Sequence, residues 1–501
     1  MSASGPRLHP TLFELSRPGR VSDKVPHPPA DALDRLPSEH RREKPAGLPE
    51  LNEADTVRHY VNLSQLNHAV DTGFYPLGSC TMKWNPKVNE WAARLPGFAQ
   101  LHPMAPDDVA QGTLQLLWEL EQMLIEVSGM HAVSLQPAAG AHGELTGILM
   151  IRAYHESRGE AGRTDVLVPD SAHGTNPATA TMAGLRTRSI KAAPDGGLDL
   201  EAFRAALGPQ TAAVMITNPS TMGLFESRIG ELLESVHAVG ALAYMDGANL
   251  NAILGRFKPG EAGFDVMHIN THKTFSTPHG GGGPGAGPVA VGEALEPFLP
   301  APRVVREADG RFRLERVGER PSSIGRMRSF FGSTGVLVRA YAYLRTHGAS
   351  GLAEITDDAV LAANYLKDRL ADSGLYDIPF PGVCKHEFIA SATSIKRKTG
   401  VRTLDIAKRL LDHGFHAPTV YFPLTVDEAM LIEPTETESI ETLDAFADAL
   451  IEIAREAETD PEMVKTAPHT APVRRLDEAG AARNPNLRWR PATGEWTPCP
   501  D

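Results

Sequence analysis

The sequence has few cysteines. Cys80, Cys384 and Cys499 are the three among 501 residues, an odd and sparse set that provides neither a disulfide framework nor the ligand spacing of a metal site. We therefore expect a reducing compartment and no metal. The amino terminus lacks the apolar core of a signal peptide, and no run of about 18 apolar residues occurs. These absences predict a soluble, cytoplasmic protein that does not associate with a membrane.

An excess of positive charge is also missing. The formal net charge is -13 at pH 7, and no basic run stands against it, which argues against a nucleic-acid surface. The 501 residues suffice for two or three domains with a large core, since domains usually contain about 100–200 residues. We expect a large globular protein that does not bind nucleic acid.

The pattern of the chain predicts four parts. Residues 1–75, rich in proline and charge, are an N-terminal arm that wraps a partner subunit or, alternatively, a flexible leader. In residues 76–345 short β-rich runs alternate with helix-like stretches, which predicts a large α/β domain with a doubly wound, mostly parallel sheet. Residues 346–470 form a smaller C-terminal α+β domain. Residues 471–501 are a tail.

Local patterns predict the elements of these domains. The candidate parallel strands of the large domain are 166–168, 212–217, 241–246 and 266–269. The later elements are helices at 334–349, 357–372 and 404–414 and strands at 388–391 and 419–422. The sequence from Thr435 to Glu438 fits a capping box, which predicts a helix from there to about Ala454.

The most informative segment surrounds Lys273. Residues 270–279 lead into the glycine-rich run 280–287. A lysine beside backbone that accepts conformations closed to other residues can hold a carbonyl cofactor as a Schiff base and move away when substrate displaces it. The segment therefore indicates pyridoxal phosphate. The alternative is a surface lysine before a flexible loop.

A carboxylate at the end of a buried strand supports this interpretation. Asp246 closes the apolar run 241–245 and is followed closely by Ala248. Pyridoxal chemistry needs a carboxylate at the pyridinium nitrogen, because the protonated ring is the electron sink. The alternative for such an aspartate is a helix cap or a turn.

Two further loops follow predicted strands. The small residues of Gln136–Glu144 let backbone N–H groups approach an anion, although the loop fits neither the nucleotide phosphate loop nor the dinucleotide fingerprint. After the next strand, His173 can lie flat on a pyridine ring and Thr175 can supply a hydroxyl. Considered alone, the loop Gln136–Glu144 could be only a tight strand-to-helix turn, and His173 could be only a solvated loop residue. In an open α/β sheet, however, ligands bind outside the carboxyl ends of the strands, where these loops would meet Asp246 and Lys273.

Longer motifs carry a family resemblance. They are Pro76–Pro86, Gln136–Glu144, Asp170–Pro177, the Lys273 segment, Ser323–Gly332, His386–Phe388, Gly414–Pro423, Glu433–Glu438 and Ala467–Asp477. With these motifs the sequence resembles the glycine dehydrogenase (decarboxylating) P-proteins of the glycine cleavage system, in particular the second subunit of split bacterial P-proteins. The resemblance extends from about Asp71 to Glu478.

The resemblance implies a fold and a reaction. The fold is fold type I of the pyridoxal-phosphate-dependent transferases, and the cofactor is pyridoxal 5'-phosphate. Glycine displaces Lys273 from the cofactor and loses carbon dioxide, and its aminomethyl group passes to the lipoyl arm of the H-protein while the lipoyl disulfide is reduced. The chain corresponds to the lysine-bearing half of a full-length P-protein. A separate glycine dehydrogenase subunit 1 therefore supplies the other half, with two copies of each subunit in a heterotetramer.

The resemblance also implies roles for individual residues. The catalytic group comprises Lys273, His173 on the ring face and Asp246 at the ring nitrogen. The phosphate is held by the backbone of Gly140, Ala141 and His142, and Thr271 or His272 positions the lysine segment. The remaining cofactor contacts are Thr175, Asn218, which reaches the cofactor hydroxyl, and Ala248.

Two other functions compete with this one. A sibling pyridoxal enzyme, such as a desulfurase or aldolase, would share Lys273 and Asp246 but not the motifs around Ser79 and Phe422. A catalytically silent scaffold that only binds the lipoyl protein would be colourless. Cys80 lies in the first motif, but the lipoyl arm already brings both sulfurs, so we expect Cys80→Ser to keep most of the activity.

Overall fold

The chain forms two compact units in a computed structural model. One unit is Val70–Lys465, and the other combines Met1–Ala69 with Thr466–Asp501. The structure describes residues 9–20, 28–43, 46–279, 285–329 and 332–487. Residues 280–284 of the glycine-rich run and residues 488–501 of the predicted tail lie outside the described residues.

A seven-stranded sheet organises the first unit. Its strands are β1 (Ala132–Ser134), β2 (Asp165–Pro169), β3 (Arg186–Ile190), β4 (Thr211–Thr217), β5 (Leu242–Gly247), β6 (Val266–Ile269) and β7 (Val289–Val291). The order is β1-β7-β6-β5-β4-β2-β3. Only β7 runs antiparallel to its neighbours in this sheet, while β3, β2, β4, β5 and β6 pair in parallel. The predicted mostly parallel sheet is confirmed, and each predicted parallel strand belongs to it.

Helices precede, connect or follow these strands along the chain. Their bounds are Lys87–Ala93, Pro96–Ala99, Gln111–Ser128, Gly140–Ser157, Thr175–Met182, Leu200–Ala206, Ile229–Ala238, Pro259–Ala262 and Thr271–Thr274, with a 3-10 helix at Glu293–Phe298. In Gln111–Ser128 the residues Leu117, Leu120 and Leu124 are fully buried, at the three- and four-residue spacing of one helix face. Strands β2 and β6 are buried along their whole length, as expected for parallel strands covered on both faces.

The register of the parallel strands aligns polar residues at one edge. Thr217 at the end of β4 pairs with Asp246 on β5, and Asp246 pairs with His268 on β6. Directly paired residues point to the same face of a sheet. Three polar side chains therefore stand in a row at the carboxyl ends of these strands.

The later part of this unit contains two further sheets. Strands β8 (Val304–Arg306) and β9 (Phe312–Leu314) form an antiparallel pair, and β10 (Phe388–Ser391), β11 (Thr419–Val420) and β12 (Ala429–Ile432) form an antiparallel sheet in the order β10-β12-β11. The helices of this part are Thr334–Ser373, Thr393–Thr399, Thr403–Asp412, Ile440–Thr459 and Pro461–Lys465. A hydrophobic core that includes Phe388, Phe446 and Leu450 lies between the three-stranded sheet and these helices.

One predicted helix start is wrong. The last long helix is Ile440–Thr459, and its N-cap is Ser439, whose hydroxyl accepts a 3.3 Å hydrogen bond from the Thr442 N–H. Thr435, the predicted cap, has a left-handed backbone (φ 63°) and lies in the loop before the helix. Glu433 and Glu436, on either side of Thr435, instead bind Thr81 and Lys83 in a distant loop.

The two helices predicted at 334–349 and 357–372 both lie within the helical segment Thr334–Ser373, and the second begins earlier than predicted. The junction is Gly348, whose φ of 62° and ψ of -175° are not helical. This backbone conformation is essentially restricted to glycine.

The second unit contains short elements and one longer helix. They are Leu12–Leu15, Glu53–Gln65, Glu478–Arg483 and a 3-10 helix at Ser38–His40. The sequence pattern did not predict the 13-residue helix Glu53–Gln65, which begins after Asn52, an N-cap that accepts a 2.8 Å hydrogen bond from the Asp55 N–H. In the described parts of both units, no helix combines the length and apolarity needed to cross a membrane.

Candidate active site

A cavity of about 240 Å³ lies at the carboxyl ends of β4, β5 and β6. The predicted site residues that line it are Gly140, Ala141, His173, Thr175, Asp246, Ala248, His272 and Lys273. They come from several loops, as expected for a ligand site outside the strand ends of an open α/β sheet.

Asp246 is buried at one wall of the cavity. Its Oδ1 accepts a 3.0 Å hydrogen bond from the Ala248 N–H, and its Oδ2 accepts one of 3.1 Å from the Asn176 amide. Burial disfavours the charged form, but the His268 ring, these hydrogen bonds and the Lys273 amine outweigh it and lower the pKa of Asp246. The carboxylate is thus held ionised.

A buried pair stands behind Asp246. His268 Nε2 lies 3.5 Å from Asp246 Oδ1, and its Nδ1 is 2.7 Å from the Tyr244 hydroxyl. Both rings are fully buried. Tyr244 therefore fixes the orientation of the imidazole that faces the carboxylate.

Glu144 organises the loop that carries His173. Its carboxylate accepts hydrogen bonds from the Thr175 hydroxyl at 2.7 Å and the Asn176 amide at 2.9 Å. Thr175 in turn lies 2.9 Å from His173 Nδ1. His173 is exposed, so its ring is free to cover a ligand.

Helix Gly140–Ser157 begins at the cavity. Its N-cap, Ala139, provides no side-chain cap, and Ala139, Gly140 and Ala141 line the cavity. A Cβ on Gly140 would collide with the Asn270 side-chain amide, so a larger residue here would displace that amide. An uncapped start of an 18-residue helix presents N–H groups and a positive dipole end to an anion.

Two imidazoles lie beside this helix start. The rings of His272 and His279 are 4.8 Å apart in an edge-on arrangement. Burial first, and then the charges of His279, Lys273 and His268, lower the pKa of His272 to about 3. His272 is therefore neutral at physiological pH.

Lys273 projects from the short helix Thr271–Thr274. Its Nζ donates a 2.7 Å hydrogen bond to the Ser79 carbonyl oxygen. Ser79, His386, Glu387 and Lys273 all line the cavity. The loop around Ser79, which contains the first motif of the sequence, is therefore part of the site.

A network of buried carboxylates holds that loop. Glu387 accepts a 2.7 Å hydrogen bond from the Ser79 N–H, and Glu433 accepts bonds from the Thr81 N–H at 3.1 Å and hydroxyl at 2.7 Å. Burial raises the pKa of Glu433. Burial also disfavours a charged His386, but the neighbouring Glu387 carboxylate outweighs it and raises the His386 pKa.

Cys80 is half-buried in the same loop. Burial raises the pKa of its thiol, although the Lys273 charge opposes the shift. The thiol is therefore protonated near neutral pH and is a poor nucleophile.

Three predicted site residues do not line the cavity. Asn218 is buried, and its Oδ1 accepts a 3.0 Å hydrogen bond from the Glu226 N–H. His142 accepts a 3.1 Å bond from the Ala138 N–H, and the Thr271 hydroxyl donates to the Ala286 carbonyl at 3.3 Å. Each of these side chains forms a hydrogen bond to backbone next to the site.

The residues at the cavity fit pyridoxal phosphate. Thr217 Oγ1, Asn270 Oδ1 and His272 Nδ1 are buried without a hydrogen-bond partner among the described residues, and all three residues line the cavity. Buried polar atoms are normally paired, so these atoms indicate that a polar ligand completes the site. An ionised carboxylate, an amine and an uncapped helix start are the three groups that a pyridinium nitrogen, an aldehyde and a phosphate require.

Some of these residues were missed in the sequence. Thr217 ends one predicted strand and Asn270 directly follows another, and these positions could have identified them. Glu144 was the last residue of the predicted anion loop, but its role as a hydrogen-bond hub has no local signal. Glu387 and Glu433 lie in motifs that carry the family resemblance but suggested no contact with Ser79 or Thr81.

The sequence matches two family models. One, described as glycine cleavage system P-protein, covers residues 31–413. The other, described as glycine dehydrogenase, C-terminal domain, covers residues 355–473.

Curated relatives are similar over nearly the whole chain. The probable glycine dehydrogenase (decarboxylating) subunit 2 of Bacillus licheniformis is 55% identical over 481 residues, which cover 95% of this chain and 98% of the relative. The protein of the same name from Methylococcus capsulatus is 56% identical over 483 residues, 96% of this chain and 98% of the relative.

Solved structures share the fold. An inhibitor-bound crystal structure of glycine decarboxylase (P-protein) of the glycine cleavage system superimposes with a TM-score of 0.70 at 23% identity, covering 84% of this chain and 94% of that one. The glutamate decarboxylase of Lactobacillus brevis gives 0.65 at 13% identity, with 84% and 96% covered. These likenesses confirm the predicted fold type I.

Proposed function

The chain belongs to the glycine cleavage system P-protein family, and from this membership we propose that it is a pyridoxal-phosphate-dependent glycine dehydrogenase (decarboxylating). The observation that carries the proposal is the meeting of Lys273, Asp246 and the start of helix Gly140–Ser157 in one cavity. These residues come from separate loops and together provide the groups that pyridoxal phosphate needs.

Pyridoxal phosphate, when bound, supplies the electron sink that accepts the electron pair left by departing carbon dioxide. The protein's residues do the rest. The backbone N–H groups of Gly140 and Ala141 would bind the phosphate, and Lys273 would be the point of covalent attachment. Asp246, whose lowered pKa keeps its carboxylate ionised, would keep the pyridine nitrogen protonated. His173 would cover the ring and exclude water from one face.

His272 contributes as a neutral group. With a pKa of about 3, its imidazole carries no charge next to the Lys273 amine and can donate or accept one hydrogen bond. Its unpaired, buried Nδ1 is available to the cofactor. His272 therefore binds without adding positive charge beside the lysine.

The proposed reaction continues on another protein. The aminomethyl group left after decarboxylation passes to the lipoyl arm of the H-protein, whose disulfide is reduced. The proposed assembly contains glycine dehydrogenase subunit 1, with two copies of each subunit, in the cytoplasm. The relatives' name, subunit 2, supports a separate first subunit.

Exchange of labelled bicarbonate into the carboxyl carbon of glycine tests the proposal. The assay mixes this protein, subunit 1 and lipoylated H-protein. We expect exchange that is abolished by Lys273→Ala, because the cofactor then has no covalent attachment point. The variant Lys258→Ala, at a surface lysine paired with Glu126, serves as the matched control and should retain full exchange.

The other outcomes separate the competing functions. A yellow, fully assembled protein without exchange would contradict the proposal and point to a sibling pyridoxal enzyme. A colourless protein that binds the H-protein would point to a silent scaffold.

A further inference from the structure

The amine of Lys273 has a defined hydrogen-bond partner. Its Nζ lies 2.7 Å from the Ser79 carbonyl oxygen. Ser79 has a left-handed backbone, with φ of 62°, a conformation that costs a residue with a side chain roughly 1 kcal/mol or more. The carbonyl is therefore turned toward the lysine by something other than local preference.

Contacts from distant parts of the chain supply that constraint. The Ser79 N–H donates to Glu387 Oε2 at 2.7 Å, and Glu387 is almost completely buried. On one side of Ser79, the Gly78 N–H donates to the Leu431 carbonyl at 3.2 Å. On the other side, Thr81, which also has a left-handed backbone (φ 51°), donates twice to Glu433.

Glu387 occupies the decisive place in this arrangement. Its Oε2 accepts the N–H of the same residue whose carbonyl accepts the lysine amine. Its other oxygen, Oε1, lies 3.4 Å from His386 Nε2, so both carboxylate oxygens are fixed. Without Glu387, the Ser79 N–H would lose its partner and the left-handed conformation would lose its main support.

We propose that the Ser79 carbonyl is the holding site for the Lys273 amine whenever the lysine is not bonded to the cofactor, and that Glu387 is the positioning residue that keeps this carbonyl in place. This inference rests on the proposed function, since it concerns the moment at which substrate replaces the lysine.

The replacement of Lys273 by the incoming amine conserves atoms and electrons. The carbon–nitrogen double bond to Lys273 is replaced by one to the incoming amine, and the protons lost by the incoming nitrogen are taken up by the lysine nitrogen. No oxidant or reductant is needed. A hydrogen bond to the Ser79 carbonyl stabilises the Lys273 amine once it has been released. The released lysine is then less able to displace the substrate amine before the second substrate arrives.

Displacement of the lysine by methylamine tests the proposal. Methylamine has no carboxylate, so it reports on release of the lysine without contributions from carboxylate binding. The absorbance of the bound cofactor gives the apparent dissociation constant of methylamine in the holoprotein. For Glu387→Ala we expect this constant to rise roughly tenfold, the effect of one charge-assisted hydrogen bond.

Two further variants separate geometry from stability. Glu387→Gln keeps an acceptor oxygen for the Ser79 N–H, so its constant should stay within about twofold of wild type. Glu428→Ala removes another buried carboxylate, which accepts the Thr403 N–H at 2.8 Å and does not line the cavity. This control should lower the melting temperature without changing the constant. If Glu387→Ala does not fold, Glu387→Asp, with a carboxylate one methylene too short, replaces it.

The result can overturn the proposal in two ways. Equal constants for wild type and Glu387→Ala would exclude Glu387 as the positioning residue. Equal losses in Glu387→Ala and Glu387→Gln would mean that the negative charge, and not the fixed carbonyl, favours release. A protein that never binds the cofactor would overturn the proposed function and this inference with it, which distinguishes that failure from the other two.

Discussion

The two walls of the cavity are built on different principles. In the strand-end wall, Thr217 and Asp246 line the cavity and His268 stands behind Asp246. This wall follows from parallel register, because paired residues on β4, β5 and β6 stand side by side. In the loop wall, Ser79 and Glu387 line the cavity, while Thr81 and Glu433 support the loop without lining the cavity. This wall is held by side chains that bind backbone from distant parts of the chain.

The difference separates two ways of keeping polar groups in place. A strand end is rigid because the sheet is rigid, so Asp246 needs little beyond its hydrogen bonds to be oriented. The loop wall contains left-handed residues at positions 79 and 81, and its conformation depends on buried carboxylates. We therefore expect substitutions in the strand-end wall to change chemistry more than stability, and those in the loop wall to do the reverse.

The largest expected effect is at Asp246. Asp246→Asn preserves the size of the side chain but removes the negative charge that would keep the ring nitrogen protonated, and its single oxygen can accept from only one of the Ala248 N–H and the Asn176 amide. We expect glycine–bicarbonate exchange to fall roughly 10³-fold, the scale of losing one preorganised electrostatic contact, a larger effect than the roughly 1 kcal/mol of stability that one lost hydrogen bond costs. Asp265→Asn, directly before β6 and outside the cavity, is the control. A loss below tenfold would contradict the role of Asp246.

The reverse pattern is expected at Glu433. Glu433→Ala leaves the Thr81 N–H and hydroxyl and the Asn249 amide without their acceptor, which should lower the free energy of unfolding by about 2 kcal/mol. Urea denaturation of Glu433→Ala, Thr81→Ala and the double variant measures the coupling. Purely additive losses would show that the loop wall does not depend on this pair.

A smaller effect is expected behind the strand-end wall. Tyr244→Phe removes the hydroxyl that binds His268 Nδ1 and should cost about 1 kcal/mol of stability, together with a few-fold loss of exchange. Tyr376→Phe removes a comparable buried hydroxyl, which donates to the Leu450 carbonyl at 2.8 Å, far from the cavity lining. Equal exchange rates in the two variants would remove Tyr244 from the site.

The smallest expected effect concerns His272, whose ring should not titrate near neutral pH. Because the pKa of His272 is about 3, its ring should remain neutral from pH 8 to pH 5 in histidine nitrogen NMR of the cofactor-free protein. The stability that this neutral ring contributes is complete above its unfolded pKa of about 6.5 and is lost as pH falls toward 3. His237 is the control, since its bond to Asp265 raises its pKa and it should protonate in that range. Protonation of both rings together would contradict the burial of His272.

The strand-end wall could be predicted from the sequence because its signals are local. Asp246 and Lys273 each end or follow a short apolar run, and strand ends meet at one edge of a parallel sheet. The loop wall could not be predicted in this way. Glu387 is separated from Ser79 by 308 residues and Glu433 from Thr81 by 352, and no periodicity or spacing links residues so far apart.

The misplaced helix start has a related cause. Thr435 to Glu438 satisfies the capping-box pattern, but Glu433 and Glu436 on either side of Thr435 bind Thr81 and Lys83. Those long-range bonds fix Thr435 in a left-handed conformation that no N-cap adopts. Ser439, a second candidate a few residues later, caps the helix instead.

Gly348 has a consequence for how this sequence can vary. It separates two helices within the segment Thr334–Ser373. The first helix packs in the core of the main sheet, and the second begins in that core, at Leu352 and Ile355, and continues into the core of the three-stranded sheet. No neighbouring atom lies near the place where a Cβ would stand, so crowding does not restrict the position. The backbone angles alone do, because they are essentially restricted to glycine and would cost another residue on the order of 1–3 kcal/mol. In a library of random variants, a site with ample room would thus still select for glycine.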